Sequence, residues 1–433
     1  MTTPVIARRW TNWGGNQQAQ ATEILTPGTV DEVVAQVKEA SASGRRIKAV
    51  GSGHSFTAIA VANDQRLFLH RLAGLVSVDA PLVTVQAGMP LHVLNAVLAE
   101  HGLAMPNLGD IDQQTVAGAI STGTHGTGAT HSTLASCVEA VKLVTGTGEV
   151  LEVGKDDPIF PAARLGLGAL GILVEVTLRC VEAFTLLADE RPMALTDVLA
   201  GLDEWISGND HAEFYWYPYT DRAQLKINNK VPAHDRPLSR FRGWMDDEFL
   251  SNTVFGAVMR LGKAAPGTVP TISAVAARAL TARTYTDRSD RVFCTSRRVR
   301  FTEMEYEIPR AALPQVMAAL PRLIDGLPFK VQFPVEVRFT GPDDVWLSHG
   351  YGRDSAYVAV HQYTGVEYEP YFRAVEAVCQ PLGGRPHWGK LHYRSAEDLR
   401  PVYQKFDDFV AVRDRLDPAR VFTNDYLDRV LGG

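Results

Sequence analysis

The chain has 433 residues, 45% of them hydrophobic and 21% charged, with a formal net charge of −6. That length exceeds one ordinary core and predicts two domains with room for a large site between them, and the composition excludes a disordered chain. The mild negative charge excludes a basic field for nucleic acid, and no run reaches the ~18 apolar residues of a membrane-spanning helix.

The stretch from Met1 to Trp10 lacks the apolar core of a leader, and Arg8-Arg9 is a weak look-alike of a twin-arginine signal. Cys137, Cys180, Cys294 and Cys379 are scattered without CxxC spacing, so the thiols are expected to be reduced and the protein cytoplasmic, at most peripheral to a membrane.

Thr29 and Glu32 have capping-box spacing, and Val30, Val33, Val34 and Val37 recur at helical intervals until Ser43-Gly44. Arg45 to Val50 predicts a strand that feeds directly into the turn Gly51-Ser52-Gly53-His54. Val76 and Val78, then Val83, Val85 and Ala87, predict a hairpin, followed by a helix from about Pro90 to His101. Asn107 to Gly128 is poor in charge and rich in small residues, which lets backbone approach a ligand closely. A second hairpin is expected at Val138–Val144 and Glu149–Val153, and a strongly apolar strand over Gly171–Leu178.

The texture changes near Phe184. Aromatic residues crowd Phe214 to Tyr219, a loop-like region runs to about Thr286, and strand patterns resume over Arg298–Ile308. Arg297, Arg298 and Arg300, followed by Glu303, Glu305 and Glu307, read as a solvated or internally paired strand. The organisation expected is α+β, with a first domain over 1–183, a second over 184–383, and a segment over 384–433 that returns to the first.

Gly51 to Ser55 and Thr122 to Gly128 suit the wrapping of a diphosphate by backbone N–H groups, although neither is a Rossmann fingerprint or a phosphate-binding lysine loop. Among small neighbours, His54 is accessible as a nucleophile or ligand, while His125 either orders its own loop or joins the site. The pairs His387/His392 and His125/His131 have poor spacing for a metal and no accompanying cysteine, so no metal is expected. In Val335-Glu336-Val337-Arg338-Phe339 the alternation puts Glu336 and Arg338 on one strand face, which serves equally an exposed salt bridge or a site with a proton acceptor and an anion holder. His361 follows a second such strand, and Lys390 stands beside Trp388.

Taken together, Ala49-Val50-Gly51-Ser52-Gly53-His54-Ser55-Phe56, Ser121 to Gly128, Arg300 to Tyr306, Glu336-Val337-Arg338-Phe339 and His387-Trp388-Gly389-Lys390 resemble the sugar 1,4-lactone oxidoreductases of the vanillyl-alcohol-oxidase flavoprotein superfamily. The likeness runs from Trp10 to Tyr426 and is close to the mycobacterial L-gulono-1,4-lactone dehydrogenases. It implies a two-domain FAD-binding fold with an α+β cap domain, and a covalent bond from His54 to the flavin. It also implies FAD contacts at Ala49, Val50, Gly51, Ser52, Gly53, His54, Ser55, Gly109, Asp110, Thr115, Gly118, Thr122, Gly123, Thr124, His125 and Ile172.

The catalytic set implied is Glu336 with Arg338, His361 as a supporting proton acceptor, and Lys390 orienting flavin or substrate. The reaction implied is oxidation of the C2 hydroxyl of L-gulono-, L-galactono- or D-arabinono-1,4-lactone by hydride transfer to the flavin, giving an ascorbate-type product. Electrons would pass to oxygen or to a cytochrome- or quinone-type carrier. The alternatives are an alditol oxidase acting on a terminal hydroxyl, and a non-catalytic flavin- or sugar-binding protein. Where the related alditol oxidases and plant galactonolactone dehydrogenases resemble Asn-Leu-Ala-Ser or Ile-Ala-Ser, this chain reads Asn107-Leu108-Gly109-Asp110. The missing methyl at Gly109 is expected to open a path for oxygen, and Asp110 to place an acid near the substrate.

Overall fold

The computed structural model describes residues 9–232, 238–239 and 252–433. Residues 1–8, most of the stretch read for a leader, lie outside the described residues.

Val30–Ser43 is helical as its pattern predicts. The Thr29 side chain accepts from the Glu32 amide, Gly44 ends the helix with φ +67°, and Val33, Val37 and Ala40 are buried. The strand after it, Ile47–Ala49, lies parallel to Gln65–Leu67, which also pairs with Glu23–Leu25. Beside this small sheet stands a five-stranded antiparallel one, ordered Val150–Gly154, Val138–Val144, Ile172–Arg179, Leu82–Gln86 and Leu75–Asp79. Val83, Val85, Val174 and Val176 from its central strands share one hydrophobic core with Val33, Val37 and Ile47.

An eight-stranded antiparallel sheet forms the other half, in the order Arg283–Arg288, Thr185–Ala194, Arg222–Val231, His211–Trp216, Val335–Thr340, Ser355–Tyr363, Phe301–Pro309 and Arg385–Pro386. Leu313–Asp325 and Glu369–Cys379 back one of its faces, and Val335, Val337, Phe339, Met304, Tyr306 and Ile308 join their core. Alternation sends Glu336, Arg338, Glu303 and Glu305 to the opposite face, toward the first half of the molecule. The strand Val335–Thr340 is therefore buried on both sides, which removes the exposed salt-bridge reading.

The region expected to be a loop up to Thr286 holds the strand Arg222–Val231 and the helices Phe255–Ala264 and Val269–Ala279; its residues 233–237 and 240–251 lie outside the described residues. Small Gly and Ala residues dilute the hydrophobic period of these helices, and Pro266 and Pro270 imitate loop punctuation. Strand structure begins at Phe301, not Arg298, and Glu303, Glu305 and Glu307 are buried rather than solvated. After Arg385–Pro386, which still pairs with Phe301–Pro309, the chain returns to the first half: the Ile47 amide donates to the Val421 carbonyl at 2.8 Å, and Trp388, Phe409 and Leu427 belong to the core around Val33.

Candidate active site

The turn after Ile47–Ala49 is held from behind, with Trp13 N donating to the Gly53 carbonyl at 2.8 Å and Asn12 Nδ2 to the Ser55 carbonyl at 3.0 Å. Gly53 takes φ +74°, a conformation an L side chain rarely adopts. The successive amides of Gly51, Ser52, Gly53, His54 and Ser55 donate to no acceptor among the described residues. A row of free amides curved by a left-handed glycine is a nest for a diphosphate. Gly51 rests on Thr115, where a Cβ would come within 2.7 Å of Oγ1. Thr115 in turn caps Val116–Ser121 by accepting from Gly118 N.

The second glycine segment differs. Gly123 N, Thr124 N and Gly128 N donate to the carbonyls of Ile120, Ala119 and Phe339, so these amides are used within the protein. Its glycines are required by packing, since a Cβ on Gly126 would lie 2.2 Å from the Leu108 carbonyl oxygen. What this segment presents to the site are the side chains of Thr122, Thr124 and His125.

Between the two halves lies a cavity of about 1130 Å³. It gathers His54, Ser55, Gly109, Asp110, Thr122, Thr124, His125, Glu336, Arg338, His361 and Lys390 from the sequence reading. Ala49, Val50, Gly51, Ser52, Gly53, Thr115, Gly118 and Gly123 do not line it, and Ile172 is a core residue at the start of its strand.

Arg338 is the centre of the charged wall. Its Nε lies 2.6 Å from Glu336 and 2.9 Å from Glu213, and its Nη2 meets Asp110, which Arg297 also binds at 2.7 Å. Asp110 comes from the first half and both arginines from the second, so these ion pairs join the halves across the cavity. Burial lifts the Glu336 carboxyl to about 7; Arg338 opposes the rise, and Asp110 and Glu213 add to it. One guanidinium shared by several carboxylates cannot keep all of them in their ordinary range.

Lys390 is placed by backbone: Leu391 N donates to the Glu303 carbonyl at 2.9 Å and His387 N to that of Glu305 at 3.0 Å. Its ammonium meets the Glu303 carboxylate, which also lies 3.4 Å from His361 Nε2, while His361 Nδ1 is buried without a hydrogen-bond partner. Burial opposes ionisation of Glu303, but Lys390 and His361 hold its carboxyl below the usual range. Phe56 N donates to the Gly389 carbonyl at 2.7 Å, tying the Lys390 segment to the His54 turn. The His54 ring stacks on Trp13, and burial followed by Lys390 lowers its pKa to about 4, so the imidazole is neutral near pH 7.

Several partners escaped the sequence reading. Glu303 and Glu305 stood in a motif read as either solvated or internally paired, and their partners Lys390 and His125 favour the second reading, while Glu213, Lys226 and Arg297 meet their partners only through sheet register and domain contact. His125, Glu305 and His387 bring ligand atoms within 4.8 Å of one another, a grouping no pair spacing suggested, since His125 comes from the other half. His125 lies between the Gly126 carbonyl and Glu305, at 2.8 and 3.3 Å, and stacks on Tyr357.

The free amides, the glycine packed on Thr115 and the inter-domain cavity fit FAD, and the whole fold matches cholesterol oxidase from B. sterolicum with a TM-score of 0.84, covering 100% of this chain and 99% of that one at 18% identity. This is the fold of an FAD-binding flavoprotein, and the FAD binding domain model matches residues 21–154. The D-arabinono-1,4-lactone oxidase model matches residues 176–430. An L-gulono-1,4-lactone dehydrogenase of Mycobacterium tuberculosis is 41% identical over 98% of this chain and 99% of its own length. The L-gulonolactone oxidase of Bos taurus is 31% identical over 98% of each chain, and the alditol oxidase of a Streptomyces species 32% identical over 98% of this chain and 99% of its own. The chain belongs to the D-arabinono-1,4-lactone oxidase family and is an FAD-dependent oxidoreductase.

Proposed function

We propose that this protein oxidises the C2 hydroxyl of an aldono-1,4-lactone of the L-gulono, L-galactono or D-arabinono type, giving an ascorbate-type product. The observation that carries the reading is Glu336: a buried carboxyl lifted to about 7, beside a guanidinium, in the cavity that also holds His54 and Lys390. Bound FAD supplies the hydride acceptor for this chemistry.

The protein's residues do the rest. Glu336 accepts the hydroxyl proton, its pKa matched to neutral operation. Arg338 and Lys390 stabilise the alkoxide that develops as the proton leaves. Glu303 fixes the Lys390 ammonium and His361, whose free Nδ1 hydrogen-bonds substrate or takes a proton in support of Glu336. Gly51 to Ser55 would hold the diphosphate, and Thr122, Thr124 and His125 would contact the cofactor. His54 would carry the covalent link to the flavin, its imidazole being held in the neutral, nucleophilic form. Gly109 leaves room for oxygen, while a cytochrome- or quinone-type carrier is the competing electron acceptor. No described helix is long and apolar enough to cross a membrane, and we place the protein in the cytoplasm or peripheral to a membrane.

Anaerobic mixing with L-gulono-1,4-lactone and with xylitol tests the substrate. Bleaching of the flavin by the lactone and not by the polyol is expected; the reverse result makes the protein an alditol oxidase, and no bleaching by either removes the enzymatic reading of Glu336. A repeat with oxygen and cytochrome c separates the acceptors.

A further inference from the structure

The cavity is longer than the chemistry at Glu336 requires. On the sheet face that carries Arg338, cross-strand register places Glu213 opposite Arg338, Lys226 opposite Glu213, Glu190 opposite Lys226 and Arg283 opposite Glu190. The charges alternate strictly along this row and are bonded: Arg338 to Glu213 at 2.9 Å, Lys226 to Glu213 at 3.5 Å and Arg283 to Glu190 at 2.8 Å. Four interstrand steps of about 4.8 Å carry the row roughly 19 Å from the reacting end. Glu190, Lys226 and Arg283 all line the cavity, together with Gln224, which donates to Glu190 at 3.1 Å, and the half-buried Tyr217.

The opposite wall is apolar. Val258 and Met259 from Phe255–Ala264, and Ile272 and Ala276 from Val269–Ala279, line the same cavity. Burying such a charged row against helices is costly when apolar side chains would pack there instead. Here both walls line the one cavity. A ligand that hydrogen-bonds along one side and presents C–H groups on the other satisfies both walls, and that is the surface pattern of a pyranose ring. One five-membered lactone with its two-carbon tail spans less than half of the row.

We infer that the outer part of the cavity is a glycosyl subsite, and that the preferred substrate is an aldono-1,4-lactone carrying a further hexosyl unit on its exocyclic carbons. The inference rests on the lactone reading above and extends it outward along Lys226, Gln224, Glu190 and Arg283. Hydroxyls of the second ring meet the alternating donors and acceptors of the row and the Tyr217 hydroxyl, while its C–H face lies against Ile272 and Ala276.

The probes are L-gulono-1,4-lactone and its 6-O-β-D-glucopyranosyl derivative, used with the holoenzyme, plus the 2-deoxy form of each, which has no hydroxyl to oxidise and reports binding by perturbing the flavin spectrum. The glucosylated compounds are expected to bind about tenfold more tightly than the parents. Ala276→Trp, which fills the outer slot from a solvent-accessible helix, should erase that advantage and leave turnover of the parent lactone unchanged, and Tyr217→Phe should reduce the advantage in part. Equal or weaker binding of the glucosylated pair overturns the subsite, as does an Ala276→Trp variant that weakens both pairs alike. If the parent lactone fails to reduce the flavin, the lactone reading is what has failed; the 2-deoxy pair still decides the subsite by the same comparison.

Discussion

Glu336→Gln separates the roles of the charged wall because it removes the proton acceptor with almost no change in volume. A positioned base contributes about 10²- to 10⁴-fold to a proton-transfer step, and the reductive rate constant of the variant should fall by a factor in that range. The pH dependence carries the sharper sign. A base whose pKa stands at about 7 is protonated, and inactive, below it, so the rate of flavin reduction by lactone should rise with pH through an acid limb near 7 and then level off. Asp110 and Glu213 both raise Glu336, so Asp110→Asn should move that limb toward lower pH, with Arg338 left freer to pair with Glu336. Anaerobic stopped-flow between pH 5 and 9 measures both. An acid limb near 7 that persists in Glu336→Gln would assign the titration to another group and refute the base. A limb in Asp110→Asn that moves upward would refute the electrostatic account of Glu336 while leaving its catalytic role open to the first test.

His54→Ala should leave a protein that binds FAD but shows no flavin fluorescence in a denaturing gel; fluorescence that stays with the band places the link elsewhere. Gly51→Val forces a side chain against Thr115 Oγ1, 2.7 Å from where its Cβ would lie, and should lower the flavin-to-protein absorbance ratio of the purified protein; an unchanged ratio removes the amide nest as the cofactor's anchor. Gly109→Ala puts a methyl 3.1 Å from the His125 carbonyl oxygen and should slow reoxidation by oxygen while leaving electron transfer to cytochrome c intact; equal loss with both acceptors argues against an oxygen path. Gly123→Ala meets a φ of +73° and a Cβ only 2.5 Å from His349 Cε1, which should cost roughly 1–3 kcal/mol and lower Tm in differential scanning calorimetry.

These tests fall on two kinds of residue, and the difference explains how far the sequence could be read. Local chemistry was legible. Thr29 and Gly44 bound their helix through contacts within a few residues, the strand Leu82–Gln86 alternates as its valines do, and the Gly51–His54 turn can follow its strand because glycine at position 53 takes a φ that an L side chain rarely adopts. The face shared by Glu336 and Arg338 was legible for the same reason, since the period of a strand is fixed. What that face meets was not. Asp110 reaches Arg338 across 228 positions and Glu213 across 125, and neither separation leaves a mark in the local pattern. The Glu303 to Glu307 run left two readings open, solvated or internally paired, because charged residues at alternate positions look the same on a solvated edge as on a strand facing an internal cavity. Only the neighbouring strands decide between the two. The motif likeness supplied the missing long-range information for Glu336, Arg338 and Lys390, but gave none for Lys226, Glu190 and Arg283, whose common row is visible only in the register of the eight-stranded sheet. The residues proposed for the reacting end can therefore be named from the chain and its motif likeness, whereas the extent of the cavity depends on how separate strands were brought side by side.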